Sequence, residues 1–520
     1  MPLDAQSRAV GVGAGADNTP FQVTAENVPS KNLLIATYDP AILTLADNVP
    51  LLVLSPEDVA DRTGQGFPLH RLAIKSFAGS SGIETWIIPQ PEDGGAVQAA
   101  GEIDFTGSAG VLAGTLALYI HNVRVPVAIV AADTAAIIAT KTAAAINADN
   151  DLGITAAANL DAVDITAKAG GTWGNDITIL FNLGFDEALP TGVVQATTPM
   201  ATGATNPDIS DALNGLGVDD DANEALFTHM VHGYGQETAV LDAISTYVGE
   251  GNELDGLYDK LVARPFTAMT GDTDPGSAAL TALIALTDLR KLDRANSIVA
   301  VPDAPDHPSE LAALTMGEMS KTSNNRPEES FEGIVLSGVR PGDKADRWTS
   351  DYDNRDLAVK SGISPTKVEN GVVILQNVVT FYRPDAVPVD SNGYRSVRNI
   401  SIIRNVLNSV KATFSTEKWQ GISIVADVSK VTNITSRQKA RSVNSVIDEL
   451  LSLARLWENK AWIYTAAFTI ERLKATNPSP VVIRDGSSGF DATVDIILSG
   501  EGGILDTLVR FDTSIAVLTA

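Results

Sequence analysis

Cysteine is absent from all 520 residues, which excludes a disulfide framework and thiolate chemistry of any kind. Long apolar runs are missing too: none approaches the ~18 residues that a membrane-spanning helix requires. The best contender, "TLALYIHNVRVPVAIVAA", is interrupted by His121, Arg124 and Pro126. The opening stretch "MPLDAQSRAVGVGAGADNTP" has neither a basic start nor an apolar segment, so no signal peptide is expected. Positive charge is scarce: 37 Lys and Arg face 64 Asp and Glu, a net charge of −27. Such a balance argues against non-specific binding to nucleic acid. The expectation is a protein made in a cytoplasm, with no membrane insertion and no direct nucleic-acid partner.

Recognisable catalytic chemistry is also lacking. Of the five histidines, His229 and His232 have a tempting spacing, but "LFTHMVHG" reads as a strand. Residues three apart on a strand point to opposite faces, where they cannot easily share a metal. "GVGAGADN" comes before any strand and opens no helix, so the dinucleotide context is missing, and "TGQGFP" lacks the Lys-Ser/Thr of a phosphate loop. Ser-x-x-Lys occurs at Ser364–Lys367 and again at Ser436–Lys439, without a Lys-Thr-Gly partner. "DYDNRD" (351–356) lacks the glycine and distal glutamate of a calcium loop, and "DGSSGFD" reads as a turn. The expectation is no catalytic, cofactor-binding or metal-binding residue, hence no cofactor and no enzyme.

What is present is a foldable chain, 44% apolar. "KNLLIATYD", "PLLVLS" and "ETWIIPQ" read as strands, and "PEDVADRT" as a helix with Ser55 as its cap and Pro56 in the first position. From about 100 to 204 the composition turns to Ala, Thr, Gly and Val, with "GTLALYIHNVRVPVAIV" reading as two strands around an Asn122 turn. An alanine-rich helix, "TAAIIATKTAAAINAD", and two more strands follow. Helices and short apolar strands then alternate to about 340, which predicts a largely parallel sheet. Beyond it, "GVVILQNVVTFYR" reads as a strand pair. An amphipathic helix should bury Val397, Ile400, Ile403, Leu407 and Val410, and a second helix spans "TSRQKARSVNSVIDELLSLARLWENK".

The fold class expected is therefore α/β (α+β) and multidomain. It comprises an N-terminal arm (1–20), an α/β domain (21–99 plus 205–340), an inserted β-rich module (100–204), a C-terminal core domain (341–489) and a C-terminal strand arm (490–520). The last arm raises a question of its own. In "FDATVDIILSGEGGILDTLVRFDTSIAVLTA", Phe490, Ala492, Val494, Ile496 and Leu498 share one face at the period of a half-buried strand. Unpaired apolar strands are aggregation hazards. These either pair within their own domain or find partners on other subunits.

Charge is unevenly spread. No Lys or Arg lies between Lys168 and Lys260, a span that holds Asp219, Asp220 and Asp221. From Arg383 to Lys474, fourteen Lys or Arg face eight Asp or Glu. The split hints at one wet acidic surface and one surface that meets an acidic partner. Arg437, Lys439 and Arg441 crowd the expected start of the second helix, where cations oppose the helix dipole.

Several stretches, taken in order, resemble the contractile phage tail sheath proteins, in their Mu-like branch. They are "GQGFPLHRLAIKSF", "ETWIIPQPEDGGAVQAAGEIDF", the T-A-K-x-x-G-x-x-G-N run in "VDITAKAGGTWGNDITI", the G-x-x-N-P-D run in "GATNPDISDALNGLG", and "NNRPEESFEGIVLSGVRPGDKADRW" through "GVVILQNVVTFY". The resemblance implies a virion tail component, assembled in the host cytoplasm as hexameric rings stacked helically on a tail tube protein. Baseplate and tail terminator proteins would be its further partners, and contraction would drive the tube through the host envelope. It also implies that terminal arms add strands to neighbouring subunits, here through Phe21, Val23, Val494, Ile496, Leu498, Val509 and Phe511. The basic C-terminal region, through Arg437, Lys439 and Arg441, would face the tube, and the inserted module would project outward. A surface-layer or other extracellular lattice protein, and an α/β enzyme with no identifiable site, are the alternative readings.

Overall fold

In the computed structural model the described residues are 27–42, 45–216, 227–249, 265–384, 392–476, 479–483 and 489–500. The first arm, with Phe21 and Val23, lies outside them, as do Val509 and Phe511.

The chain is an α/β protein of several units. It opens with β1 (Lys31–Thr37), β2 (Leu51–Val53), α1 (Pro56–Thr63), α2 (Pro68–Gly79) and β3 (Glu84–Gln90). Ser55 caps α1 by accepting the Asp58 N–H, with Pro56 in the first turn, as the sequence predicts.

An all-antiparallel module follows: β4 (Gln98–Asp104), β5 (Gly114–Ile120), β6 (Val123–Ile129), α3 (Ala135–Ala148), β7 (Ile154–Asn159), β8 (Ala162–Gly170), β9 (Ile179–Phe181) and β10 (Ala196–Ala201). Its sheets run β10-β4-β8-β7 and β6-β5-β9, and Ile103, Phe105, Leu118, Ile138, Ile146 and Val163 fill a core of its own. The β5–β6 hairpin turns through His121 and Asn122, both left-handed at φ 48° and 62°, as a two-residue hairpin turn demands. Strands β4, β7 and β10 were not expected from sequence. "QAAGEID", "ITAAAN" and "ATTPMA" are rich in weak strand formers, and their neighbours in the sheet decide their conformation.

The first unit then resumes with α4 (Ile209–Gly215), β11 (His229–His232), α5 (Thr238–Val248), β12 (Thr267–Asp272), α6 (Gly276–Asp288), β13 (Asn296–Ala300), α7 (Pro308–Asn325), α8 (Tyr352–Lys360), β14 (Ser364–Glu369) and β15 (Val372–Leu375). The sheet order is β15-β14-β13-β12-β11-β1-β3-β2, with antiparallel pairing only at its two edges. Alternate residues of β1 serve opposite faces. Leu34 and Ala36 pack with Leu69, Leu72 and Leu311 of α2 and α7, whereas Leu33 and Ile35 pack with Leu213 and Ile244 of α4 and α5. Burial on both faces accounts for the apolar centres of β1 (33–36) and β13 (298–300). Helices α2 and α7 approach backbone to backbone at Gly79 and Gly317: a Cβ at Gly317 would stand 2.6 Å from the Ser76 carbonyl oxygen.

Two expectations need correction here. Strands β14 and β15 complete the same sheet, so the boundary expected at 340/341 falls inside the α/β unit. "GVVILQNVVTFYR" supplies β15 alone, because beyond it the Val379 N–H bonds the Ser364 hydroxyl at 3.0 Å instead of a strand. "DYDNRD" is a helix start, with Asp351 capping α8 through the Asp353 N–H.

The C-terminal unit holds α9 (Val397–Phe414), β16 (Ser423–Ile424), α10 (Ile434–Lys439), β17 (Ala440–Arg441), α11 (Val443–Asn459), α12 (Ala466–Leu473), β18 (Val481–Ile483) and β19 (Phe490–Ala492). Ile402, Val406, Leu450, Ala454, Trp457 and Trp462 form its core. The buried stripe of α9 is rotated from the expected one: Leu407 is 37% exposed, and Ile402 and Val406 turn inward. Buried Arg398 and Arg404 share that stripe. They bond backbone carbonyls, Glu328 and Ser499 for the first, Pro265 and Thr228 for the second.

Candidate functional site

Two of the motifs quoted above meet at the joint between the inserted module and the large sheet. Lys168 donates to the carbonyls of Gln65 and Asn150 at 3.0 and 2.7 Å, tying β8 to the loop before α2. Gly171, at φ +100°, leaves room for the Asn206 side chain, where a Cβ would sit 2.5 Å from its oxygen. Asn206 accepts the Thr172 N–H and donates to the Thr172 hydroxyl and to Glu237. Asn175 exchanges two bonds with the Gly203 backbone at 2.9 and 2.8 Å. Asp208 then caps α4. Val97 and Ala204 pair across the module's entry and exit.

On the other side of the joint the β5–β6 turn plugs into a buried ionic network on α2 and α7. Arg71 and Glu310 form a bidentate pair at 2.7 and 2.8 Å, with side chains 3% and 0% exposed. Burial alone would raise the Glu310 pKa. The neighbouring Arg71 charge, with help from Lys75 and the hydrogen bond, overrides this and holds it at about 2. His121 Nδ1 lies 3.7 Å from Glu310, and burial pushes its pKa well down, so the ring is neutral. Asp306 gathers Lys75 at 3.2 Å, the Asn122 amide at 3.2 Å and the Arg340 N–H at 3.2 Å. Arg340 also donates to Asn122 and to the Leu183 carbonyl, and lies over the Tyr119 ring.

Trp173 stacks on His307 with centroids 4.6 Å apart. His307 Nδ1 accepts the Ser309 N–H that starts α7, so its Nε2 carries the proton and donates to the Trp173 carbonyl at 2.9 Å. Lys168, Asn206, Asn122, Arg340 and His307 join one body to the other. Chemically this is a clamp. The network was invisible in sequence because its members are scattered from Arg71 to Arg340 and carry no shared spacing. The one available signal was charged and aromatic residues set among glycines in "TAKAGGTWGN".

His229 and His232 sit fully buried on β11, and burial lowers both pKa values, that of His232 to about 4. They are neutral core residues. Asp303, Asp343 and Asp346 bring carboxylate oxygens within 4.8 Å of one another at the surface. Asp303 already accepts the Asp343 N–H at 2.7 Å, which makes the group a loop fastener.

The residues singled out at the C-terminus behave differently from expectation. Val494, Ile496 and Leu498 do share a face, but that face packs on the core of their own unit. β19 pairs antiparallel with β18, Leu498 bridges Ile463, the Tyr464 N–H bonds Ile497 O at 2.8 Å, and the Ser499 N–H bonds Trp462 O at 3.1 Å. The expectation that residues 490–498 lack a partner at home is thus corrected. Alternation specified an apolar face and not whose core it covers. The expected second helix is also two: α10, then β17, then α11, which Ser442 and Ser445 start with a capping box. Arg437 and Lys439 lie in the last turn of α10, where cations favour the dipole, so the opposition argued from sequence does not arise. Lys439 donates to the carbonyls of Glu417 and Gln420, and Arg441 to that of Lys418 while lying over Trp419. Arg437 is exposed.

No family model matches the chain. In sequence it is similar to the Mu-like prophage FluMu tail sheath protein of Haemophilus influenzae, 25% identical over 374 residues, which cover 71% of each chain. Among solved structures it is similar to the sheath tail protein of Desulfitobacterium hafniense, at 10% identity and a TM-score of 0.43 over 94% of this chain and 100% of that one. It is also similar to the sheath complex of the PVC extracellular contractile injection system in its contracted state, at 9% identity and a TM-score of 0.45 over 98% and 99%. The relative from Haemophilus influenzae bears out the family read from the motifs: over most of its length, this chain is similar to a Mu-like tail sheath protein.

Proposed function

We propose that the chain is the structural subunit of a contractile tail sheath. It would polymerise as hexameric rings around a tail tube, bounded by baseplate and tail terminator proteins in the virion tail, after assembly in the host cytoplasm. Contraction would drive the tube through the host envelope for genome ejection. The carrying observation is the sequence similarity to a tail sheath protein over 71% of both chains. The reading asks for no catalysis, cofactor or metal. Contraction is a one-way change between two packings, held back kinetically. Negative-stain microscopy of the purified protein tests it: hollow tubes or stacked rings are expected. Flat lattices would favour a surface layer, and a persistent monomer would refute self-assembly.

In this reading residues 100–204 form an outward-projecting module. Val97 and Ala204 already touch, so a short linker can close the gap that deletion leaves. Ring stacking should survive that deletion. The strand-donating role passes to the segments outside the described residues, with Phe21, Val23, Val509 and Phe511. Removing everything after Ser499 should leave a folded subunit that forms no connected sheath. For the tube, Arg437 is the strongest of the three proposed contacts, because Lys439 and Arg441 already serve their own backbone. Arg437→Glu should weaken assembly on the tube and spare tube-free polymers.

A further inference from the structure

We propose that a basic pocket beside α8 receives a carboxylate-rich segment from a second copy of this chain, and that the segment is the acidic run Asp219–Asp221. The proposal rests on the self-assembling reading above. The pocket, about 290 Å³, lies between the loop that leads into α8 and strand β14, and is lined by Lys344, Arg347, Arg355, Lys367 and Glu369. Four cations thus face one carboxylate. Glu369 pairs with Lys367 at 2.9 Å. Among the described residues no carboxylate comes within ion-pairing distance of Lys344, Arg347 or Arg355.

The arginines are set up to receive an anion. Neutral acceptors hold Arg355: its Nε donates to the Gln376 side chain and one Nη to the Thr349 carbonyl, both at 2.6 Å. Its orientation is fixed while its charge stays uncompensated. Arg347 lines the same pocket, and its buried Nε makes no hydrogen bond among the described residues. Guanidinium groups held in place suit carboxylates, which they bind with paired, charge-assisted hydrogen bonds.

The same chemistry identifies the occupant. At a net charge of −27, two copies repel at long range, and close contact needs a local site of opposite sign. Three consecutive aspartates stand in a span free of Lys and Arg from 169 to 259, so no sequence neighbour neutralises them. Pocket and run are different patches. Used head to tail, such a contact passes from copy to copy and either closes into a ring or extends as a filament.

A charge swap tests this on the full chain. Arg355→Glu with Lys344→Glu should abolish polymers seen by sedimentation, and so should Asp219→Arg with Asp220→Arg. Mixing the two variants should restore them, since each supplies the patch that complements the other. Restoration only when all four changes sit in one chain would mean an intramolecular contact and overturn the proposal, as would normal polymers from either variant alone. The exposed Lys344→Glu serves alone if the arginine variants fail to fold. Titration with the peptide GVDDDANEA (217–225) gives an independent readout. Binding should weaken about tenfold in Arg355→Glu, and should vanish when the three aspartates become asparagines. No binding to the wild-type chain, or preference for inorganic phosphate, would also sink the idea. A wild-type chain that stays monomeric refutes the sheath reading, and the peptide then still decides the pocket.

Discussion

Glu310→Gln is the sharpest test of the clamp between the module and the large sheet. Glu310 is fully buried, and its pKa falls from 4.5 to about 2 because Arg71 outweighs the cost of burial. A shift of that size is worth about 3 kcal/mol of stability at neutral pH. The glutamine variant keeps the volume and removes the charge, so Arg71 is left buried without a counter-ion. Breaking a buried pair on one side costs about 3–5 kcal/mol, which agrees with the first figure. For a cooperative unit of about 300 residues that is roughly 5–8 °C in Tm. Calorimetry reads the loss, and hydrogen exchange should rise first at the His121–Asn122 turn that the network holds. The sign with pH follows from the depressed pKa: the contribution is present above 4.5 and lost as pH falls toward 2. The variant should therefore have a shallower acid limb below pH 4.5. Arg71→Met with Glu310→Met should be less damaged than either single change, because no unpaired charge remains. A wild-type melt for Glu310→Gln, or a double variant whose loss equals the sum of the two, would refute the paired-charge account.

Three further outcomes are expected. His232 is held neutral by burial, its pKa lowered from 6.5 to about 4, so its share of stability is present above 6.5 and lost as pH falls toward 4. His232→Leu should narrow the difference in unfolding free energy, from urea titrations at pH 7 and pH 5, by about 2 kcal/mol, while Asp272, raised to about 6 by burial, acts in the opposite direction in both proteins. Gly317→Ala gains helix propensity of up to about 1 kcal/mol but forces a Cβ to 2.6 Å from the Ser76 carbonyl, so a net loss of about 1–2 kcal/mol should appear in denaturant unfolding. Leu498→Asp should lower the melting temperature of the dilute monomer, whereas an unchanged monomer melt would show that this face is covered by another subunit after all.

Much of the sheet was legible because its signals are local. The apolar runs of β1, β3 and β13 follow from propensity and from burial on both faces, and the start of α1 from its Ser55-Pro56 cap. Strands such as β4 and β10 were not legible, because alanine, threonine and glycine accept whatever their neighbours impose. Helix α9 shows a subtler failure. Its stripe was read from Ile, Leu and Val alone, yet Arg398 and Arg404 are buried there, satisfied by carbonyls far away in sequence. Periodicity counts only apolar residues and misses a buried cation that carries its own hydrogen bonds.

The two joints of the subunit turn out to be built alike. At the module, Arg71, Lys168 and Arg340 reach across to carbonyls or carboxylates. At the C-terminal unit, Arg404 reaches Pro265 and Thr228 beside β11 and β12, and Arg398 ties Glu328 to Ser499. Each of these cations is desolvated on one side and satisfied by a partner on the other, so pulling the units apart would leave it unpaired. Neither joint is a natural hinge. If the sheath reading holds, a change of length is absorbed between copies, and the contacts that must break and re-form are the exposed, salt-sensitive ones. Ion pairs at the rim of the Arg355 pocket, where Lys344 is exposed, suit this role, because exposed charges exchange partners at a cost of about 1 kcal/mol or less each. The buried Arg71–Glu310 pair does not, and its place inside a single chain is consistent with a body that moves without bending.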